Sequence, residues 1–271
     1  MSLHRSPDGL LLKVACEGRG LFHFTPQGIG THWQMEGTGP AHYFQTLGLG
    51  IWLERRGVPC LHANAVAAGN GAIGLLAPSR GGKTTLTAAL AEAGLRPMTD
   101  DMLALHRGAG GWRVFPAWPQ LRMWPDTAIR YATGDCSGLE KVHQRFDKRL
   151  VKLDTANQCP GTQSRPLTRL YLLDRRDEPG ADIRLTELAP RTALIHLLQN
   201  SILGDACQAL GLASARLAAL ADLLRDVPLT KITYPSGHDG LPRVCKAIFE
   251  SLEQGSGLRD GTRPGANALC V

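Results

Sequence analysis

The chain has 271 residues, 43% hydrophobic and 20% charged, which is enough apolar material to form one large domain or two small ones without covalent staples. Its seven cysteines are odd in number, scattered and never spaced C-x-x-C, which argues against a disulfide framework or a zinc site. A net charge of +6 fits an anionic ligand or an acidic partner, but apart from Arg145, Lys148, Arg149 and Lys152 the basic residues are dispersed, so a nucleic-acid partner is not expected.

No apolar run approaches the ~20 residues of a membrane span, and Met1–Arg5 lacks the apolar core of a signal peptide. The expectation is a cytoplasmic chain without a membrane partner. Leu10–Cys16 and Leu21–Thr25 read as two short strands across a Gly18–Gly20 turn, followed by a Gly-rich connector to Pro40. From Ala41 to Arg56, Tyr43, Phe44, Leu47, Ile51 and Trp52 recur at helical spacing, and Gly57 ends the segment. Its polar face carries few basic residues, so a core-packing helix is expected rather than a membrane-surface one.

Val58–Ala68 reads as a strand, and Gly69-Asn70-Gly71 as a hairpin turn into the next. His62 and Asn64 interrupt this apolar stretch; a lone histidine in a strand is more often a satisfied core residue than a catalyst. Residues 72–90 hold the most informative pattern. An apolar run, Ile73 to Ala77, breaks at Pro78, passes through Ser79-Arg80-Gly81-Gly82-Lys83-Thr84-Thr85, and re-emerges as a helical pattern ending at Gly94. The match to G-x-x-x-x-G-K-[ST] holds from Gly82 onward, with Ala77 at the first glycine position. Small residues let successive backbone N–H groups turn around phosphate oxygens, and the helix N-terminus favours an anion. Lys83 would supply a point charge for the β/γ-phosphates, Thr84 a hydroxyl for Mg²⁺, and Ser79 through Thr85 the cradle. A Gly-rich strand–helix turn of no special function is the plain alternative, and Gly-Lys-Thr-Thr in this setting argues against it.

Asp100-Asp101 falls in an apolar segment, Leu95–Leu105, read as a strand. Two adjacent carboxylates are costly to bury unless paired or beside a metal. One can serve Mg²⁺ and the other accept a proton from an attacking hydroxyl; a turn or helix cap is the alternative. Residues 112–124 are rich in tryptophan, arginine and proline and read as edge segments that pack rather than bind single-stranded nucleic acid. Residues 125–165 predict a short helix near Gly138–Arg145, a strand at Arg149–Leu153 and a loop from Asp154 to Pro166 that could cover a nucleotide. Strands follow at Leu167–Leu173, Asp182–Leu188 and Leu229–Tyr234, and helices at Ala193–Leu203, Ala213–Leu224 and Leu241–Leu252.

There is no Asn-Lys-x-Asp guanine motif and no Leu-Ser-Gly-Gly transporter signature. A histidine on the strand before the loop, the loop itself and an Asp-Asp pair after its helix, here His62, Ala77–Thr84 and Asp100-Asp101, resemble the catalytic domain of the HPr kinase/phosphorylase family. The spacings are fifteen positions from His62 to Ala77 and twenty-four from Ala77 to Asp101. The resemblance implies an α/β fold with a P-loop kinase core of the HPr kinase/phosphoenolpyruvate carboxykinase type and a small N-terminal β-rich segment. It divides the chain into a β segment at 1–40, a kinase domain at 41–254 and a flexible tail at 255–271.

The resemblance also implies ATP and Mg²⁺ as cofactors, Lys83 on the phosphates, Thr84 on the metal, Asp101 as general base, His62 beside the transferring phosphate and Asp100 as the neighbouring acidic, metal-side residue. A second acidic metal contact and a phosphate-contacting basic residue belong further on, with Asp126 and Arg149 (or Lys148) as candidates. Ala63 stands where the family has glycine, the Gly-rich segment used to grip HPr is missing after the basic cluster, and the short front segment does not look like the family's N-terminal domain. The closer resemblance is to shorter HPr-kinase-like proteins, some of which phosphorylate a serine of a ribosomal precursor peptide in lasso-peptide clusters. The expected partner is therefore a peptide or small protein carrying an acceptor serine, with homo-oligomerisation possible. Alternatives are HPr kinase/phosphorylase itself, a small-molecule kinase, and a nucleotide-binding module that transfers nothing.

Overall fold

The computed structural model describes residues 1–15, 19–34, 39–133, 135–154, 158–159, 163–178 and 181–256. Parts of the expected Gly18–Gly20 turn, of the connector to Pro40 and of the 154–166 loop lie outside the described residues, as does the tail beyond Ser256.

Four antiparallel strands open the chain: β1 (Ser2–Ser6), β2 (Gly9–Ala15), β3 (Arg19–Phe24) and β4 (Ile29–Trp33). Strict alternation puts Leu10, Leu12 and Val14 of β2 and Phe22 and Phe24 of β3 on one face. That face is covered by the helical segment α1 (Gly39–Tyr43), a π-helical turn (Phe44–Gly48) and α2 (Leu49–Glu54), through Ile51, and by Leu203 and Cys207. β1 and β4 were not expected from their polar sequences; hydrogen bonding to β2 and β3 recruits them. Gly57, at φ +74°, ends the helical segment as predicted.

The main body is a mixed sheet between two helical layers. Its strands and helices are, in order, β5 (Cys60–Leu61), β6 (Ala63–Ala68), β7 (Gly71–Leu76), α3 (Lys83–Glu92), β8 (Arg96–Thr99), β9 (Leu103–Ala104), β10 (His106–Gly108), β11 (Gly111–Val114), β12 (Gln120–Met123), α4 (Pro125–Ala128), β13 (Lys141–His143), β14 (Phe146–Lys152), β15 (Arg165–Arg176), β16 (Arg184–Glu187), α5 (Pro190–Gln199), α6 (Ala206–Ala209), α7 (Ala213–Asp226), β17 (Leu229–Pro235) and α8 (Leu241–Ser256). β6 and β7 form the expected hairpin across Gly69-Asn70. β7, β15 and β17 run parallel, and β6 lies antiparallel between β7 and β8, so β7, β8, β15 and β17 all end at one edge. β7 is buried at every position, as a strand covered on both faces must be. α3 and α8 cover one face through Leu86, Leu90, Val244 and Ile248. α5 and α7 cover the other through Leu197, Leu220 and Leu223.

A small sheet in the order β12-β14-β13 packs against α3 through Leu121, Met123, Val151 and Ala88. The helix expected near Gly138–Arg145 is instead strand β13 and the turn into β14, because pairing with β14 buries Val142 and His143. The Leu95–Leu105 segment is likewise two strands, β8 and β9, with the acidic pair in the break between them.

Candidate active site

The carboxyl ends of β7 and β8 bring the loop after β7 and the acidic pair together at the sheet edge where open α/β sheets bind ligands. Arg80 and Asp101 are the two non-glycine residues with positive φ among those described, at +63° and +64°. Ala77 shares no such strain, which makes it compatible with the loop. A Cβ on Gly81 would lie 2.6 Å from the Ala77 Cβ, so the alanine methyl is accommodated because Gly81 has none. Gly82 caps α3 at φ +92°, and a Cβ there would sit 2.9 Å from the Tyr234 hydroxyl. Lys83 is the first helical residue; its Nζ donates to the Ala77 carbonyl at 2.7 Å. Burial pulls its pKa down to about 8, against the opposing charge of Asp101.

Asp100 is the most completely hydrogen-bonded carboxylate of the site. Its Oδ1 accepts from Asn64 Nδ2 at 2.8 Å and Thr84 Oγ1 at 3.0 Å, and its Oδ2 from the Arg122 backbone N–H at 2.6 Å. Burial first, then the neighbouring Asp101 charge, push its pKa upward. Asp101 behaves oppositely. Burial works to raise it, but Lys148, at 3.6 Å, and Arg122, at 3.4 Å, outweigh that and hold it below the ordinary carboxylate value.

The polar residues inside the apolar β5–β6 stretch are explained by this pair. The Asp101 N–H donates to Asn64 Oδ1 at 3.0 Å, and the Asp101 carbonyl accepts from His62 Nδ1 at 3.0 Å. Both bonds fix a residue whose left-handed backbone is otherwise unfavourable. Because a carbonyl only accepts, His62 carries its proton on Nδ1; burial and the Lys83 charge keep its pKa low, so the ring is neutral with Nε2 unprotonated. His62 is itself held by its N–H to the Asn200 carbonyl at 2.7 Å. Two residues earlier, Cys60 donates its N–H to Glu54 Oε1 at 2.7 Å and accepts from Arg216 at 2.9 Å, while Glu54 and Arg216 form a fully buried ion pair.

Beside these groups lies a cavity of about 860 Å³. Ser79 through Thr85, His62 and Asp101 all line it. Asp126 also lines it, 72% exposed and 3.8 Å from His238. Among the described residues no three His, Cys, Asp or Glu side chains gather to hold a metal; the pairing that could share one is Thr84 with Asp100, both hard oxygen donors. Of the two basic candidates, Lys148 enters the cavity, while Arg149 is not among its lining residues, as alternation along β14 requires.

Arg122 escaped sequence reading, although a charge between Leu121 and Met123 in an apolar strand was the available signal. It is buried, faces Asp101 and also bonds Gln45. Trp124 was read as packing. It lines the cavity with the Arg80 guanidinium 4.6 Å and the Lys148 ammonium 5.9 Å from its ring, both cation–π distances.

No family model matches this chain, and no curated protein matches it. Among solved structures, the HPr(Ser) kinase/phosphatase from Coxiella burnetii matches over 73% of this chain and 99% of its own, at 10% identity and a TM-score of 0.40. At that level the likeness bears no weight on function. No helix among the described residues is long and apolar enough to cross a membrane.

Proposed function

We propose that the protein is an ATP- and Mg²⁺-dependent kinase that transfers the γ-phosphoryl group to the hydroxyl of a serine on a peptide or small protein, a ribosomally made lasso-type precursor being the first to assay. The observation that carries this reading is the convergence of Lys83, Thr84 and Asp101 on one cavity at the strand–loop–helix junction, with Asp100 hydrogen-bonded to Thr84 beside it. The donor set fits the group it would hold: Gly81 and Gly82 leave room for backbone N–H groups to approach phosphate oxygens, and the Thr84 and Asp100 oxygens suit a hard cation. Mg²⁺ held there would neutralise phosphate charge.

Lys83, freed from the Ala77 carbonyl, places its ammonium on the phosphates, and Arg122 and Lys148 add positive charge on the Asp101 side. Asp101 stays ionised at neutral pH, orients the acceptor hydroxyl in line with the phosphorus and takes its proton as the new P–O bond forms and the β–γ bridging bond breaks, releasing ADP. A base of low pKa is compatible with this role because positioning and charge stabilisation, rather than base strength, dominate phosphoryl transfer. His62 presents Nε2 as an acceptor beside these groups. Incubation with Mg·ATP and serine-bearing peptides, read by mass spectrometry, tests the proposal. Phosphoserine supports it; nucleotide binding without any phosphorylated product favours a binding module instead.

A further inference from the structure

The cavity that holds Lys83 and Asp101 is lined by two unlike sets of residues. Thr84 turns toward Asp100, whereas Thr85, about 100° further round the helix, places its Oγ1 2.9 Å from Thr127 Oγ1. Phosphates that follow Lys83, Thr84 and Thr85 therefore lead the rest of a nucleotide toward Trp124–Thr127, with Arg80 and Arg175 alongside. Away from the phosphate loop in sequence, the cavity is lined by His42, Tyr43, Thr46 and Leu47 of the helical segment and by Val142 and Phe146.

Electrostatics place this wall on the Asp101 side. The charges that act on His42 are Arg122, His143, Asp101 and Lys148, and Arg122 ties Asp101 to Gln45 of the same helical segment. Burial, with the Arg122 charge, pulls His42 down to about 4, leaving it neutral at pH 7. Its ring lies 5.8 Å from that of Phe146, which is 41% exposed although apolar. An aromatic face left open beside a hydroxyl-activating carboxylate, with no charged side chain among these lining residues, points to an apolar occupant.

Resting on the phosphotransferase reading, we propose that His42, Leu47, Val142 and Phe146 form the acceptor subsite, and that it selects a peptide whose acceptor serine is adjacent to a bulky aliphatic or aromatic residue. Burying such a side chain is favourable, whereas a basic neighbour would be desolvated beside Arg122 and Lys148 and an acidic one would compete with Asp101 for them.

The test uses peptides identical except for leucine, phenylalanine, aspartate or lysine beside the serine, with Mg·ATP and the full chain, scoring phosphate incorporation by mass spectrometry and ATP turnover in parallel. The expected result is a KM for the leucine and phenylalanine peptides roughly tenfold below that for the charged ones, as burial of one apolar side chain allows. Phe146→Ala should abolish that preference through the peptide KM, with the KM for ATP unchanged, and Phe146→Leu should retain it. Equal or better use of the charged peptides overturns the subsite while leaving the kinase reading intact. A Phe146→Ala effect on the ATP KM alone also overturns it, because the wall would then serve the nucleobase. Phosphate on no peptide, with ATP bound or hydrolysed, removes the kinase reading and the subsite with it.

Discussion

His62 donates through Nδ1 to the backbone carbonyl of Asp101 at 3.0 Å, across 39 residues of sequence. The bond holds Asp101 at φ +64° and selects the histidine tautomer, so the two residues are set by one contact. His62→Phe keeps a planar aromatic ring, somewhat larger, and removes the donor. Its expected effect is a fall in phosphotransfer of roughly ten- to a thousandfold, since it frees the Asp101 backbone and removes Nε2 from the cavity. His62→Asn, which offers an amide donor, should recover part of the loss; single-turnover transfer to a peptide acceptor reads both.

The Gly82 backbone is required for two separable reasons. Gly82→Ala places a methyl in the left-handed region and against the Tyr234 hydroxyl. A cost of about 1–3 kcal/mol follows, with weakened nucleotide binding. Adding Tyr234→Phe removes the oxygen but not the strain, so the double variant should recover only part of the stability. Thermal unfolding with and without ATP distinguishes the two contributions.

Loss of the Lys83 ammonium should weaken ATP binding selectively. Lys83→Met preserves the aliphatic stem and removes a charge-assisted bond, so the Kd for ATP should rise roughly ten- to a hundredfold. The variant should fold at least as well as the wild type, because a buried cation with its pKa drawn to about 8 is itself a cost. Calorimetric titration with ATP and a melting curve give both numbers.

Much of this was legible in the chain and some was not. The β6–β7 hairpin and the strand–loop–helix at 71–92 follow from an apolar run, an Asn-Gly turn and a glycine pair, all local signals. The break at Asp100-Asp101 was not legible, because its left-handed backbone at Asp101 is imposed by His62, between β5 and β6, and by Asn64 of β6. Arg122 was hidden for the same reason: alternation puts it on the face away from Leu121 and Met123, and only the fold shows that this face is buried and which carboxylate it meets. Choosing Lys148 over Arg149 needed the register of β14 against β12, which fixes the face each side chain takes.

His42 makes stability depend on pH. Its folded pKa of about 4 lies below the value near 6.5 of an unfolded histidine, so between these the unfolded chain binds the extra proton. Stability from neutral His42 is complete above pH 6.5 and is lost as pH falls toward 4, by up to about 3 kcal/mol. His42→Phe should flatten the pH dependence of unfolding by up to that amount in this window.

The Glu54–Arg216 pair should couple stability to the site. Arg216→Met alone leaves Glu54 buried without its partner and removes a bond to Cys60, at an expected cost of about 3–5 kcal/mol. The double change Glu54→Leu, Arg216→Met should be markedly less destabilised than the single one. Denaturant titration of the set measures the difference.

Asp101→Asn tests the central claim most directly. The substitution keeps the side-chain shape, removes the proton acceptor and leaves Arg122 and Lys148 in place. With folding checked by melting and affinity by titration, the account predicts ATP binding no weaker than wild type and phosphoryl transfer to a serine peptide reduced by roughly 10²–10⁴-fold. Wild-type turnover in this variant, at unchanged ATP affinity, would contradict the assignment of Asp101 as the base.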